Sequence, residues 1–276
     1  MIKDILVNVS VAPIRDVAAP FAVSVATAFD AHLTGVAFVY EPVPPAVDMT
    51  TMPGELIDTM RSEHEKAAEA ARAMFDRLTE RAGASATSRK VDATLVGAAE
   101  LFGRMARRFD LAVVGQAEPN KMAPEELLTE AALFESGRPV LIVPYIQKQE
   151  VKLDRVMACW DGSRNAARAI ADAMPFLERA KTIEVVIVAN DPGKGDEIPG
   201  ADIAEHLARH GLNVELDRLV SPDLDIADTL LSHAADSAAD FMVMGGYGHS
   251  RLREFILGGA TRGILGEMTL PTLMAH

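Results

Sequence analysis

The sequence predicts an α/β protein made of two tandem doubly wound domains, each with a five-stranded parallel sheet. Three observations support this prediction. The chain has 276 residues, about twice the usual length of a globular domain. Short apolar runs rich in β-branched residues alternate with longer helical patterns, which is typical of parallel strand pairing. The order of elements occurs twice, most plainly where residues 110–115 (DLAVVG) resemble residues 240–245 (DFMVMG).

In the first half, apolar runs and helical spacing place the elements. The predicted strands are residues 5–9, 33–40, 87–91, 111–114 and 139–143. The predicted helices are residues 17–31, 55–81 and 98–108. A Pro-rich loop covers residues 42–53, and the polar residues 147–150 form the expected linker between domains of residues 1–147 and 151–276.

The second half repeats this order. After a buried strand, Asp161-Gly162-Ser163 gives a turn and a helix cap, and apolar residues then recur at helical spacing. The predicted strands are residues 156–161, 185–188, 214–220, 241–244 and 270–274. The predicted helices are residues 166–177, 203–210 and 226–235, and a last helix is expected to begin near residue 258.

Composition and charge exclude several classes of protein. The 27 basic and 40 acidic side chains give a net charge of −13, which disfavours DNA or another polyanion as a partner. Residues 1–5 do not resemble a signal peptide and no apolar stretch is long enough to span a membrane, so we expect a cytoplasmic protein without membrane contact. The single cysteine, Cys159, excludes an intramolecular disulfide, and with Trp160 it is expected in the core.

A glycine-rich segment, residues 245–262, is the most informative part of the chain. It begins at the carboxyl end of the fourth strand, where open α/β sheets bind ligands. Its glycines let backbone N–H groups approach an anion, and the last helix begins at the second glycine pair. Three arginines and one glutamate give the segment a local charge of +2. The segment therefore predicts an anion site, and the alternative is a glycine-rich turn without a ligand.

On these residues the chain resembles tandem members of the universal stress protein family. The family pattern G-x-x-G, nine residues, then G-[ST] is matched by Gly245, Gly248 and Gly258, and Asp161 and Pro271 match two further features. The resemblance implies an adenine nucleotide alpha hydrolase-like fold that binds ATP, either alone or together with Mg²⁺. It also implies an intramolecular pseudo-dimer, with or without homodimerisation, in which two separate sheets meet near their last strands, residues 140–143 and 272–274.

The resemblance implies roles for individual residues. Asp161 would contact the adenosine part of the nucleotide, and Val188 or Ala189 would contact adenine. The residues expected around the phosphates are Gly245, Gly248, His249, Ser250, Gly258, Gly259, Ala260 and Thr261. Gly259 stands where the family has Ser or Thr, which leaves Ser250 and Thr261 as substitutes for the missing hydroxyl.

Some of these residues have a simpler interpretation. Asp161 is explained equally well as a cap of the helix that follows it, without contact to a nucleotide. Ser163 is expected to act only as a helix cap. His206 and His210 stand four residues apart on a predicted helix, but no third ligand follows at a defined spacing. We expect these histidines on a solvated helix face and predict no metal site.

The first half lacks the corresponding site features. Its first strand ends in Ser10 where the second half has Asp161, and Gly115 is the single glycine of its loop. Residues 115–133 hold four glutamates and one lysine, a local charge of −3 that would repel phosphate. We expect the first half to keep the fold without binding nucleotide.

The predicted function is that of an ATP-binding regulatory or protective module in a stress response, with one site in the C-terminal half and unidentified protein partners. No residue stands out as a general base or a water-positioning group. We therefore expect no catalytic activity beyond slow ATP hydrolysis. One alternative is a scaffold of the same fold that binds proteins through surface helices such as residues 55–81. The other is an adenylate-forming or pyrophosphatase enzyme. Such an enzyme would need an S-G-G-x-[DS]-S loop after the first strand, and the sequence has none there.

Overall fold

The computed structural model describes residues 1–11, 15–41, 54–118, 124–189, 200–220, 225–246 and 259–276. The chain divides into two compact units, one of residues 1–136 with 148–150 and one of residues 137–147 with 151–276. Among the described residues, no helix is both long and apolar enough to cross a membrane.

The elements alternate as the sequence predicts. The first half contains β1 (Asp4–Asn8), α1 (Ala18–Phe29), β2 (His32–Tyr40), α2 (Gly54–Ala82), β3 (Ala86–Ala93), α3 (Leu95–Ala106), β4 (Leu111–Gly115), α4 (Pro124–Glu135) and β5 (Val140–Val143). The second half contains β6 (Arg155–Cys159), α5 (Arg164–Leu177), β7 (Thr182–Ala189), α6 (Ala201–Arg209), β8 (Val214–Val220), α7 (Ile226–Asp236), β9 (Phe241–Gly245), α8 (Gly259–Glu267) and β10 (Thr272–Ala275). Helix α4 was not predicted, although its stretch is rich in the helix-forming residues Glu, Leu and Ala.

The strand order confirms the doubly wound α/β class. In the N-terminal unit the parallel strands follow the order β3-β2-β1-β4, and in the C-terminal unit they follow β8-β7-β6-β9-β10. In each case the chain reverses its direction of winding beside the first strand of the repeat. A crevice at the carboxyl ends of the strands is the usual ligand site at such a point.

Strand β5 belongs to the C-terminal unit, where it pairs with β10 in antiparallel orientation. Ile142 lies opposite Thr272, and Val140 lies opposite Met274. The expected proximity of the two last strands is confirmed. The expectation of separate sheets is wrong at this place, because two buried edge strands satisfy their backbone N–H and C=O groups by bonding to each other.

The aspartate of the repeated DLAVVG and DFMVMG stretches has the same structural role in both units. Asp110 Oδ2 accepts hydrogen bonds from the backbone N–H groups of Lys3 at 2.8 Å and Asp4 at 3.1 Å. Asp240 Oδ2 accepts the N–H of Arg155 at 3.1 Å. Each carboxylate thus satisfies backbone donors at the start of the neighbouring strand, which gives the sequence repeat a physical cause.

Each unit has its own apolar core. The strands β1 and β4 are buried almost throughout, as expected for parallel strands covered on both faces. In the N-terminal unit Phe38 meets Phe102 edge-on, with ring centroids 6.5 Å apart. In the C-terminal unit Phe176 stacks on Phe241 at 5.0 Å. These aromatic contacts fix α3 and α5 against their sheets.

Candidate functional site

A cleft of about 300 Å³ lies at the carboxyl ends of β6, β7 and β9 in the C-terminal unit. Six residues predicted for the nucleotide site line it: Asp161, Val188, Gly245, Gly259, Ala260 and Thr261. Seven other described residues also line it: Cys159, Trp160, Ala166, Val186, Ile226, Leu230 and Met244. The cleft therefore occupies the crevice that the strand order marks as the ligand position.

Five further residues were predicted for the site. Ala189 is the last residue of β7. Gly248, His249, Ser250 and Gly258 lie outside the described residues. The central part of the glycine-rich segment therefore stays a prediction.

The core assignment of Cys159 and Trp160 is wrong, because both line the cleft and are partly exposed. They stand where β6 ends, so their side chains reach the crevice instead of an overlying helix. Burial raises the pKa of the Cys159 thiol to about 12, and the charges of Asp161 and Glu184 act in the same direction. The thiol is therefore protonated at neutral pH and is a poor nucleophile.

The apolar wall of the cleft also escaped the sequence analysis. Val186 and Val188 share one face of β7 because side chains alternate along a strand. Ile226 and Leu230 stand one turn apart on α7 and face the same cleft. Strand alternation alone could have added Val186 to the predicted Val188, whereas the approach of α7 required the tertiary structure.

Asp161 closes a tight turn and leaves the capping of α5 to Ser163. The Asp161 Oδ1 atom accepts the Ser163 N–H at 2.9 Å, across Gly162 in the left-handed region with φ of 75°. Ser163 Oγ accepts the Ala166 N–H at 3.1 Å and caps the helix, as predicted. Within the part of the chain that the structure describes, Asp161 Oδ2 has no hydrogen-bond partner, so an acceptor remains at the rim of the cleft.

Gly245 is fixed by packing between β9 and α5. A Cβ atom at this position would lie 2.6 Å from the Ala166 nitrogen and 2.7 Å from the Asn165 carbonyl carbon, far inside contact distance. Asn165 also donates through Nδ2 to the Gly246 carbonyl at 2.8 Å. The first glycine of the motif is therefore required for close helix-to-strand approach, whether or not a ligand is bound.

Gly259 has the opposite surroundings. It opens α8, its φ is not in the left-handed region, and no atom of the described residues lies within 4 Å of where a Cβ would be. At a neighbouring turn of α8, a Cβ on Gly263 would come 2.6 Å from Ala227 of α7, so α8 packs tightly on that helix. The first turn of α8 thus lies at the cleft, where the positive end of the helix dipole favours an anion.

The corresponding position in the N-terminal unit is filled by the protein itself. Strand register makes Ser10 the counterpart of Asp161, and α4 is the counterpart of α8 in element order. Ser10 Oγ donates to Glu125 Oε1 at 2.8 Å, and both side chains are buried. Burial raises the pKa of Glu125, with the Ser10 hydrogen bond opposing it, and burial raises the pKa of nearby Asp16 to about 7. A carboxyl group thus occupies the helix start that would otherwise face an anion.

No protein-family model matches the chain. Universal stress protein Slr1230 of Synechocystis is 26% identical over 170 residues, which cover 60% of this chain and 57% of that protein. The match therefore spans little more than half of the relative's length.

Two solved structures match nearly the whole chain. A universal stress protein from Archaeoglobus fulgidus superimposes with a TM-score of 0.66 at 16% identity, covering 98% of this chain and 95% of that one. A Pseudomonas aeruginosa protein provisionally assigned to the same family gives 0.61 at 14% identity, with coverages of 99% and 93%. These similarities show the fold, and the Synechocystis match adds similarity in sequence. The chain is thus similar to universal stress proteins in sequence over 60% of its length and in fold over nearly all of it.

Proposed function

We propose that the protein is an ATP-binding regulatory module of a stress response, with one nucleotide site in its C-terminal half. The observation that carries the proposal is the cleft at the carboxyl ends of β6, β7 and β9, which brings together six residues that the sequence marks for a nucleotide. The similarity to universal stress proteins supports the role in a stress response.

The lining of the cleft suits the parts of an adenine nucleotide. Val186, Val188 and Leu230 offer an apolar wall against which a flat base can pack. Asp161 offers a carboxylate oxygen to the ribose hydroxyls or to the adenine amino group. The start of α8 offers backbone N–H groups and the positive end of a helix dipole to the phosphates, which the net charge of −13 would otherwise repel.

Catalysis is not part of the proposal. Among the described residues that line the cleft, Asp161 and Cys159 are the ionisable ones. The thiol is held neutral by burial, and Asp161 Oδ1 is engaged in the turn with Ser163. Neither is arranged as a general base with a partner that orients it.

Titration calorimetry with Mg-ATP tests the proposal and the number of sites. We expect one equivalent per chain. Asp161→Ala should weaken binding by about 1–3 kcal/mol, because a polar group of the bound nucleotide loses its acceptor. Ser163→Ala is the matched control: it removes the neighbouring helix cap, so it should lower stability by about 1 kcal/mol and leave ATP affinity unchanged.

Two results would contradict this proposal. Two equal sites per chain would show that the first half binds as well, in spite of Glu125. If the titrations with ATP and with adenosine give no heat of binding, the result would favour the scaffold alternative, in which the cleft binds no nucleotide.

Gly259→Ser tests whether the start of α8 contacts phosphate. No described residue blocks a side chain at this glycine, and the hydroxyl is expected to tighten ATP binding by up to about 1 kcal/mol through one added hydrogen bond. Gly259→Ala separates the hydroxyl from the change in backbone freedom, and adenosine, which has no phosphates, should bind all three proteins equally. An equal gain for Ser and Ala, or a gain for adenosine, would place the phosphates elsewhere.

A further inference from the structure

Glu184, Asp217 and His233 form a cluster in the C-terminal unit that the cleft does not use. Glu184 lies on β7, Asp217 on β8 and His233 on α7, and one ligand atom from each lies within 4.8 Å of the others. Glu184 is on the same face of β7 as Val186 and Val188, toward the start of the strand. The cluster therefore lies farther from the carboxyl end of the strand than the cleft does, between the sheet and α7.

The distances suit a small metal ion. His233 Nε2 lies 3.0 Å from Glu184 Oε1 and 3.6 Å from Asp217 Oδ2. Two ligand atoms that each bind a tetrahedral Zn²⁺ at about 2.1 Å stand about 3.4 Å apart. The two observed separations bracket this value. A bound ion would replace the hydrogen bond between His233 and Glu184 and widen that pair slightly, and it would draw in Asp217, whose side chain is 47% exposed.

Glu184 is the anchor of the cluster and is not fully satisfied. Its side chain is 6% exposed, and its Oε2 atom has no hydrogen-bond partner within the described ranges. A buried carboxylate oxygen without a donor is costly, and a proton or a cation removes that cost. The closest positive group, Arg155 Nη1, is 3.8 Å from Oε2 and is bonded to Glu215 Oε2 at 2.8 Å.

The local charge also favours a cation. Glu184, Asp217 and Glu215 supply three carboxylates, and Arg155 supplies one guanidinium. With a neutral imidazole, two negative charges remain uncompensated. Neutral imidazole and carboxylate are donors that divalent transition metals prefer.

The first half shows that the fold does not need these side chains. Strand register makes Thr34 the counterpart of Glu184 and Arg89 the counterpart of Asp217. Phe102 lies eight residues after Thr94, the N-cap of α3, and His233 lies eight residues after Asp225, the N-cap of α7, so the two residues correspond. Phe102 is fully buried. In the first half a buried apolar side chain thus packs at this place. In the second half the corresponding places hold three side chains that can bind a metal ion.

We propose that Glu184, Asp217 and His233 bind a divalent transition-metal ion. The site leaves a fourth position for water. No residue of the cluster is among the described residues that line the cleft, so the metal site is distinct from the proposed ATP site.

Calorimetry with Zn²⁺ alone tests this proposal on untagged, chelator-treated protein without nucleotide. We expect one equivalent to bind, and Co²⁺ in the same position should give the visible absorption of a tetrahedral complex. His233→Phe, which copies the first half, should fold and reduce Zn²⁺ affinity roughly tenfold or more, as should Asp217→Asn. His206→Gln is the control, because His206 and His210 form an exposed pair on and just after α6, with ring centroids 4.9 Å apart.

The outcomes separate the cluster from other zinc ligands. Zinc affinity that falls in the two cluster variants and survives in His206→Gln supports the site. No binding by the parent chain, binding that survives both cluster variants, or binding lost with His206 would overturn it. If His233→Phe does not fold, Asp217→Asn decides, because Asp217 is half-exposed on β8 and its removal leaves the core intact.

Discussion

Gly245→Ala is expected to destabilise the C-terminal unit by about 3 kcal/mol, because the new Cβ would lie 2.6 Å from a backbone nitrogen of α5. A backbone atom cannot move aside as the end of a flexible side chain can. The helix must therefore lift from β9 or the strand must bend. Ligand affinity would fall as a consequence, since Ala166 at this contact also lines the cleft.

Gly115→Ala is the matched control in the N-terminal unit. Gly115 ends β4 as Gly245 ends β9, but the closest atom to its added Cβ is a Val17 side-chain carbon at 3.4 Å. The change should cost less than about 1 kcal/mol. The two units need separate readouts, because a chain of two units need not unfold in one step. Trp160, the only tryptophan, reports the C-terminal unit by fluorescence in urea. Equal losses for the two variants would contradict the packing explanation.

Glu125→Gln is expected to stabilise the N-terminal unit by about 1–3 kcal/mol at pH 8 and by little at pH 4. Burial raises the pKa of Glu125 above its usual 4.5. The unfolded chain therefore releases this proton at a lower pH than the folded chain does. Stability falls as the pH rises from the unfolded pKa to the folded pKa, and the loss is complete above the latter.

The glutamine avoids this loss and still accepts the Ser10 hydroxyl through its side-chain oxygen. Glu126→Gln is the control, since Glu126 is exposed on the same turn of α4. Urea unfolding followed by far-UV circular dichroism between pH 4 and pH 8 measures the difference between each variant and the parent. A stabilisation that does not depend on pH, or one shared by Glu126→Gln, would contradict the assignment of a buried charge.

Features that depend on local pattern could be predicted from the sequence. Strand β8 has the predicted bounds, Val214–Val220, and α7 begins at the predicted Ile226. The glycine-rich segment that contains Gly245 was placed at the site because parallel strands bring their carboxyl ends to one edge of the sheet. Asp161 and Gly259 were assigned to the same site by the resemblance to the family, and both line the cleft.

Other features depend on which surfaces meet. The bonding of β5 to β10, the exposure of Trp160 in the cleft and the Ser10–Glu125 hydrogen bond each join segments that carry no common sequence signal. The sequence by itself determined the repeated α/β pattern and the end of the sheet at which a ligand would bind. The tertiary structure alone decided how each half fills that end, with an open cleft in one and a buried carboxyl group in the other, because burial and hydrogen-bond partners are set by contacts between residues far apart in the chain.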